Sequence, residues 1–303
     1  MDVERQETFG WLVAIDLFLA GTGAGVFITS FIVHLINRLE SFPHIGFIVG
    51  PILVLIGALL LFVDLGNKRS FYRLITNPSS WMARGTWSIA VFVVSGFAYS
   101  LLGISNPDAI TTTLLFIIGI FALVSAIVVI IYTGFLLYEA KRVPFWNNLL
   151  LPVVFLFSSL YTGMALFLII TATSTGAPDQ NFRAVVISEL ALISVHLFTL
   201  GMFLVLASRA AGAAAQSARI LFRNGSFILA VLLAGMAAPL GLLLYQVFTM
   251  SSYLPTLIAS VLLLIGGFFL RYVILKSGIR LTVSRDQLGL TNGPLRFPSE
   301  RDR

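Results

Sequence analysis

Four residues stand where a hydrophobic chain has least use for them: Asp16, Tyr132, Glu189 and His196 each lie inside a long apolar run. An acid at such a depth costs on the order of 2.5–3.5 kcal/mol on membrane-insertion scales, and it usually marks a site or a buried pair. Asp16 stands about 10 Å along a segment that starts near Phe9, taking the helical rise per residue. Tyr132 precedes Glu139 by seven residues and so reaches the same depth of about 10 Å in a segment running the other way. Asp64 closes the second apolar run, Arg84 opens the third, and Tyr138 and Glu139 end the fourth. All of these ends fall on one face, which predicts a polar pocket roughly one third of the way into a bilayer and open to that surface. Carboxylates there can accept and return protons, a phenol can hold an oxygen by hydrogen bond, and Arg84 can neutralise Asp16 or Asp64.

Each of these residues also has a plainer role. Asp64 and Glu139, taken singly, are the interfacial acids that many helix ends carry, and a tyrosine near an interface commonly serves as an anchor. Arg84 is equally suited to a purely structural salt bridge. Asp16 is the residue that the plain roles explain least. Glu189 and His196 are seven residues apart and share a helical face. Glu189 lies about 9 Å in from Arg183, with His196 near the midplane, by the same rise. Such a file from surface to centre fits a proton path or a polar cluster that holds this helix to its neighbours.

The elements that must position these groups are eight apolar stretches. They run from Phe9 to Ile36, Ile45 to Val63, Trp87 to Leu102, Ile110 to Tyr138, Leu149 to Thr171, Ala184 to Ala207, Phe227 to Met250 and Leu254 to Leu275. A hydrocarbon slab of ~30 Å needs about 20 helical residues, and most of the stretches supply them. With 58% hydrophobic and 11% charged residues, a sequence of 303 residues has too little polar surface to coat a soluble globule. Backbone in lipid satisfies its own hydrogen bonds, and unalternating runs of this length do so as helices, not barrel strands. The fold class is all-α, a polytopic membrane protein. The first segment is much longer than a signal-peptide core and lacks a small-residue cleavage pattern, so a permanent helix is expected there. The tail from Lys276 to Arg303, with Gly, Pro and scattered charges, is expected on the surface or disordered.

Within the runs, Gly21-Thr22-Gly23-Ala24-Gly25 has a superficial likeness to a nucleotide-binding loop, but no strand precedes it. Small residues at Gly21 and Gly25 are instead expected to let another helix approach closely. Pro152 and Pro239 are expected to loosen the fifth and seventh spans locally. Tyr132-Thr133-Gly134 and Tyr161-Thr162-Gly163 echo each other, in too short a stretch to define a repeat.

The sequence has no cysteine, which excludes disulfides, thiolate-held iron-sulfur clusters and covalent haem attachment. The histidines His34, His44 and His196 are poorly placed to face each other as axial haem ligands, so electrons, if handled, are carried by another subunit. Eight crossings put both termini and the loops after spans 2, 4 and 6 on one face. That face carries Arg5; Lys68, Arg69 and Arg73; Lys141 and Arg142; Arg209, Arg219 and Arg223; and further cations from Arg271 onward. The other face has Arg38 and Arg183. The positive-inside rule then places both termini in the cytoplasm of a cell membrane. The same cations also suit an acidic partner or an anionic headgroup.

Gly10 through Gly21 (Gly-Trp-Leu-Val-Ala-Ile-Asp-Leu-Phe-Leu-Ala-Gly) is followed by Asp64-Leu65-Gly66 with Arg69. Tyr132-Thr133-Gly134-Phe135-Leu136-Leu137 then leads to Pro144-Phe145-Trp146-Asn147-Asn148. With these motifs the chain resembles the polysulfide reductase membrane-subunit family (NrfD/PsrC type). The likeness spans all eight helices, is most specific around the fourth, and rests in the second half mainly on helix count and hydrophobicity. It implies two four-helix bundles, residues 1–142 and 143–276, followed by the tail 277–303. It implies a cofactor-free, itself non-catalytic membrane subunit that exchanges electrons between a quinone, menaquinone or ubiquinone, and a docked four-cluster iron-sulfur subunit of a molybdopterin oxidoreductase. The quinone contacts carried over are Asp16, Asp64 and Tyr132, with Arg84 and Glu139 at the mouth of the same pocket. Lys68, Arg69, Arg73, Lys141 and Arg142 become the docking cations for an acidic electron-transfer partner.

Two departures accompany the resemblance. Relatives often carry His or Asn in the first-helix cluster where this sequence has Val13 and Asp16. Many relatives also place the pocket on the extracytoplasmic face, whereas the charge count points to the cytoplasm. A rival reading from another class is a proton-coupled secondary transporter that uses Asp16, Glu189 and His196. It lacks a visible inverted repeat or paired broken helices. A purely structural membrane anchor is a third, and it leaves Asp16 without a task.

Overall fold

The computed structural model describes residues 2–5, 10–37, 45–64, 80–103, 109–174, 178, 180–210, 212–249 and 252–282. Lys68, Arg69, Arg73 and His44 lie outside the described residues. Eight membrane-length helices appear where the apolar runs predict them. They are α1 (Trp11–Asn37), α2 (Ile45–Asp64), α3 (Trp81–Leu102), α4 (Ala109–Tyr138), α5 (Leu150–Ser174), α6 (Gln180–Arg209), α8 (Phe227–Thr249) and α9 (Leu254–Lys276). A shorter helix, α7 (Ala213–Arg223), sits between α6 and α8.

The third span begins earlier than its hydropathy indicates. Ser80 caps it by accepting a hydrogen bond from the Met82 N–H at 3.2 Å, so Arg84 falls within the first helical turn. The polar run Ala83-Arg84-Gly85-Thr86 hides that turn from an apolar-segment count. The α7 helix is likewise invisible to such a count. It buries Ala213, Ala214, Ser217, Ala218 and Leu221 and exposes Gln216, Arg219 and Arg223, the pattern of a helix lying on a surface.

Pro239 has the effect expected of it. Without an N–H it cannot bond the Gly235 carbonyl, and the stretch just before it, Phe227–Ala237, winds as a π-helix within α8. At Gly235 the wide turn meets Gly266 of α9 backbone to backbone. Pro152 lies in the first turn of α5, where a missing N–H costs nothing.

The most buried spans are α1 and α5. They cross where glycine and hydroxyl residues remove bulk: a β-carbon at Gly25 would strike the Ser159 carbonyl, and one at Gly163 would strike Gly25. Thr22 donates a hydrogen bond to Thr162 at 3.0 Å in the same seam. One apolar cluster, built on Phe27, Phe31, Phe92 and Tyr99, joins α1 to α2, α3 and α4. Another joins α5, α6, α8 and α9 to Val26 and Val33 of α1. A third, at the level of the two termini, includes Val13, Leu17, Leu137, Trp146 and Leu270. The first helix therefore contributes to all three clusters.

The tail begins as a strand. β2 (Ile279–Thr282) pairs antiparallel with β1 (Asp2–Arg5), Asp2 opposite Thr282 and Arg5 opposite Ile279. The Ile279 N–H donates to Ser217 Oγ of α7 at 3.1 Å. This pairing puts the segments before α1 and after α9 on the same side, as eight crossings require.

Candidate functional site

Asp16 and Tyr132 come together. Asp16 lies five residues into α1 and Tyr132 six residues from the end of α4, so both sit about 8–9 Å inside by the helical rise. Each is 2% exposed, and Tyr132 lies within electrostatic reach of Asp16. Asp16 Oδ1 is buried and has no hydrogen-bond partner. An unmatched acceptor in a low-dielectric interior costs about 1–3 kcal/mol, so a donor arriving there is strongly rewarded.

Glycines on two further helices make the room. Gly57 of α2 faces the carboxylate, with its missing β-carbon only 3.0 Å from Asp16 Oδ1 and 3.3 Å from the Asp16 carbonyl oxygen. Gly85 of α3 lies flat against the Tyr132 ring, which would overlap any side chain there. Four helices thus meet around one acid and one phenol, with glycine letting α2 and α3 pack directly against them. The nearby Thr133 hydroxyl is occupied, donating to the Ile130 carbonyl at 2.7 Å.

The other expected members of the pocket are distributed around it. Asp64 is the last residue of α2. Arg84 is exposed, with its guanidinium over the Trp81 ring at 5.2 Å, and Trp81 stacks on Phe135 at 4.3 Å. No ion pair between Arg84 and Asp16 is seen among the described residues, and the side chain of Asp64, the other partner expected for Arg84, lies outside them. Glu139, Lys141 and Arg142 are exposed in the turn that follows α4.

That turn explains the sequence Pro144-Phe145-Trp146-Asn147-Asn148. Trp146 is buried and donates from Nε1 to the Ile274 carbonyl at the end of α9, at 3.1 Å. Asn147 Nδ2 donates to the Tyr138 carbonyl at 2.9 Å, covering the end of α4, and Asn148 Oδ1 accepts from the Leu150 N–H at 3.0 Å, capping α5. The motif is a clamp that fixes α4, and with it Tyr132, against α5 and α9.

A second buried polar cluster lies beyond α1. Glu189 and His196 of α6 are fully buried, and neither Glu189 oxygen nor either His196 nitrogen has a hydrogen-bond partner. The Tyr161 ring of α5 lies 4.9 Å from the His196 ring. Arg271 of α9, which the charge count assigns to the basic face, is also fully buried in this region. It donates from Nη1 to Ser158 Oγ and the Gly267 carbonyl and from Nη2 to Ser159 Oγ, each at 2.9 Å. Arg271 is the principal residue that sequence reasoning misses. The only available signal is five further helical residues after it, which place it about 7.5 Å inside the span.

Two grooves lie among the described residues away from Asp16. A groove of about 460 Å³ runs between α1, α5 and α6 past Thr29, Val33, Met164 and Leu192, and one of about 500 Å³ runs between α3 and α4. Both are lined almost wholly by apolar groups and neither reaches Asp16, so they have the character of lipid-facing furrows. Buried, unmatched chemistry is what distinguishes the α1–α4 site.

Residues 3–283 match the family model described as polysulphide reductase, NrfD. Over 175 residues the sequence is 32% identical to the C subunit of polysulfide reductase from Wolinella succinogenes, covering 51% of this protein and 55% of that one. It is 29% identical over 227 residues to protein NrfD of Escherichia coli, covering 64% of this protein and 70% of that one. A NrfD homolog of Haemophilus influenzae is 28% identical over 186 residues, 53% of this protein and 58% of that one. The aligned region thus spans only a little over half the length of two of these three relatives. Eight membrane-length helices in a sequence matched from residue 3 to residue 283 lead to one assignment: this is a multi-pass membrane protein of the polysulphide reductase NrfD family.

Proposed function

We propose that this protein is the quinone-reactive membrane subunit of a respiratory oxidoreductase complex, with its quinone site between α1, α2, α3 and α4. The observation that carries this reading is the buried, unpartnered Asp16 Oδ1 in the region of Tyr132, with Gly57 of α2 packed closely against the carboxylate. These residues fit a quinone head group, which presents two oxygens that accept hydrogen bonds when oxidised and donate them when reduced. Menaquinone and ubiquinone share this chemistry, so the site suits either.

When bound, a quinol supplies two electrons and two protons. Asp16 accepts the two quinol protons one after the other, passing the first outward before it takes the second, and Tyr132 donates a hydrogen bond to a quinone oxygen once it is a carbonyl. Gly57 and Gly85 hold back bulk so that both contacts form at one depth. Asp64 and Glu139, near the mouth, exchange the proton with the surface, and Arg84 supplies a positive charge beside them. The electrons pass to a four-cluster iron-sulfur subunit docked on the termini-side face, and from there to a molybdopterin subunit. Lys68, Arg69, Arg73, Lys141 and Arg142 supply the charge complementarity for that docking. That face is cytoplasmic by the distribution of Lys and Arg, with the protein in the plasma membrane. On this reading residues 1–142 carry the quinone chemistry, and Glu189 and His196 within residues 143–276 offer a proton route beside it.

The test is Asp16→Asn and Tyr132→Phe in the intact complex. Both should lower quinol-linked electron transfer at least about tenfold, the worth of one hydrogen bond to a charged group, while the complex assembles. Wild-type quinol turnover in both variants removes this pocket from the reaction. A complex that carries no quinone and no iron-sulfur subunit points instead to the transporter.

A further inference from the structure

The short helix α7 has an exposed face outside the quinone pocket. Its buried residues, Ala213, Ala214, Ser217, Ala218 and Leu221, recur at helical spacing. Ala218 and Leu221 enter the apolar cluster at the level of the termini, together with Leu204 and Ala207 of α6 and Phe227 of α8. The helix therefore lies flat against the ends of the two spans it connects, at the membrane boundary. With 3.6 residues per turn, the outward arc runs from Phe222 through Arg219 and Arg223 to Gln216, all of them exposed. Phe222 stands at one edge of this arc. Its ring meets the buried Phe227 ring edge-on at 6.1 Å, and the next two residues of α8, Ile228 and Leu229, are 41% and 64% exposed. The aromatic edge of α7 thus adjoins a lipid-facing stretch of α8.

The charge of this corner has one sign. From Leu190 to Arg285 the sequence contains no Asp or Glu, so α7, α8 and β2 carry cations alone. The acid of α6, Glu189, stands about 30 Å along that helix from Arg209. Arg219 and Arg223 are four residues apart, which puts their β-carbons about 6 Å from each other on one face. Two guanidinium forks side by side match the oxygens of a phosphate. An acidic protein partner would engage the arginines and make no use of Phe222, which is 47% exposed at the lipid side. A phospholipid uses both, and arginines above an aromatic edge are the arrangement by which interfacial helices hold anionic membrane surfaces.

We propose that α7 is a lipid-docking helix whose exposed face, formed by Arg219, Phe222 and Arg223, seats an anionic phospholipid of the termini-side leaflet. The phosphodiester lies on the two guanidiniums, and the acyl chains run past Phe222 onto Ile228 and Leu229. Such a lipid holds the α6–α7–α8 corner at a fixed depth, and with it the strand pair of the two termini, which joins α7 where the Ile279 N–H donates to Ser217. This seat is separate from the Asp16 pocket and needs no electron transfer to be observed.

The test uses the purified full complex carrying Phe222→Trp, in phosphatidylcholine bilayers with a minor fraction of phosphatidylglycerol. Fluorescence of the introduced indole is read as the difference from the wild-type complex, with bromine on the acyl chains of one lipid or the other. Each arginine at a lipid surface is worth about fivefold in holding an anionic headgroup. Mole for mole, brominated phosphatidylglycerol should therefore quench the indole at least about tenfold more effectively than brominated phosphatidylcholine. Adding Arg219→Gln and Arg223→Gln, which keep good helix formers on exposed positions, should bring the preference to within about twofold. If the Phe222→Trp complex fails to assemble, lipid retained through detergent purification decides alone: phosphatidylglycerol should stay with the wild type and be lost from Arg219→Gln/Arg223→Gln. Quenching without preference, or a preference that outlasts the loss of both arginines, overturns the lipid seat. An indole that neither lipid reaches also overturns it, since a partner protein then covers the face. A preference abolished by millimolar inorganic phosphate would make the face a site for free anions and would overturn lipid docking as well.

Discussion

Gly85 offers a way to move the Tyr132 hydroxyl without deleting it. In the structure the Tyr132 ring lies so close to the Gly85 Cα that three of its carbons would overlap an added β-carbon. The ring is 2% exposed and packed between helices, so it cannot swing into solvent. Gly85→Ala therefore costs about 1–3 kcal/mol as overpacking, and most of the strain is relieved by sliding the ring and its hydroxyl by the order of 1 Å. A misplacement of that size costs roughly a hundredfold where a hydrogen bond must meet a reacting oxygen. Quinol oxidation by the purified complex, with an artificial acceptor at the iron-sulfur subunit, should fall by about ten- to a hundredfold. Assembly should survive, since the strain is no larger than a typical core substitution. Because Gly85→Ala acts through Tyr132, adding Tyr132→Phe should reduce turnover little further, a non-additive pair. Turnover near wild type in Gly85→Ala, or losses that multiply in the double variant, would show that the Tyr132 hydroxyl does no work at this position.

Both termini should lie in the cytoplasm. A fusion at Arg303 of a reporter active only outside the cytoplasm should be silent, and activity there would leave partner docking as the origin of the basic loops. Glu189→Gln should leave uncoupled electron transfer within about twofold of wild type yet diminish proton movement per electron in sealed vesicles, a ratio taken per assembled complex so that loss of yield does not enter. An unchanged ratio assigns Glu189 to structure alone.

The spans were legible because lipid imposes one rule on every residue of a run, and the rule survives without knowledge of neighbours. The common depth of Asp16 and Tyr132 was legible for a related reason, since the helical rise counted from the ends of α1 and α4 on one face fixes it. Arg271 was not legible, because Phe268-Phe269-Leu270-Arg271-Tyr272 reads equally well as a helix end whose arginine snorkels to the interface. Only Ser158 and Ser159, more than a hundred residues away in sequence, turn it inward. The clamp at Trp146 escaped for the converse reason. Its residues were conspicuous, but their task is to satisfy carbonyls at the ends of α4 and α9, partners that no spacing within the motif reveals.

The first helix gives the arrangement its logic. One side of α1 presents Asp16 to Gly57 and Tyr132, and the other presents Gly21, Thr22 and Gly25 to α5 and to Arg271. Tyr132-Thr133-Gly134 and Tyr161-Thr162-Gly163, too short to define a repeat, lie at different depths on α4 and α5. Each tyrosine lies in the field of a buried acid, and each glycine admits a neighbouring backbone, Pro152 for Gly134 and Gly25 for Gly163. The difference between the two sides is the arginine. Asp16 forms no ion pair among the described residues and can change its proton without leaving a stranded cation, which suits exchange with a quinol. The far side holds the buried Arg271 guanidinium, a charge that cannot leave. On the proposed function, a proton-exchanging acid at one face of a helix and a fixed charge at the other are kept apart by α1 itself.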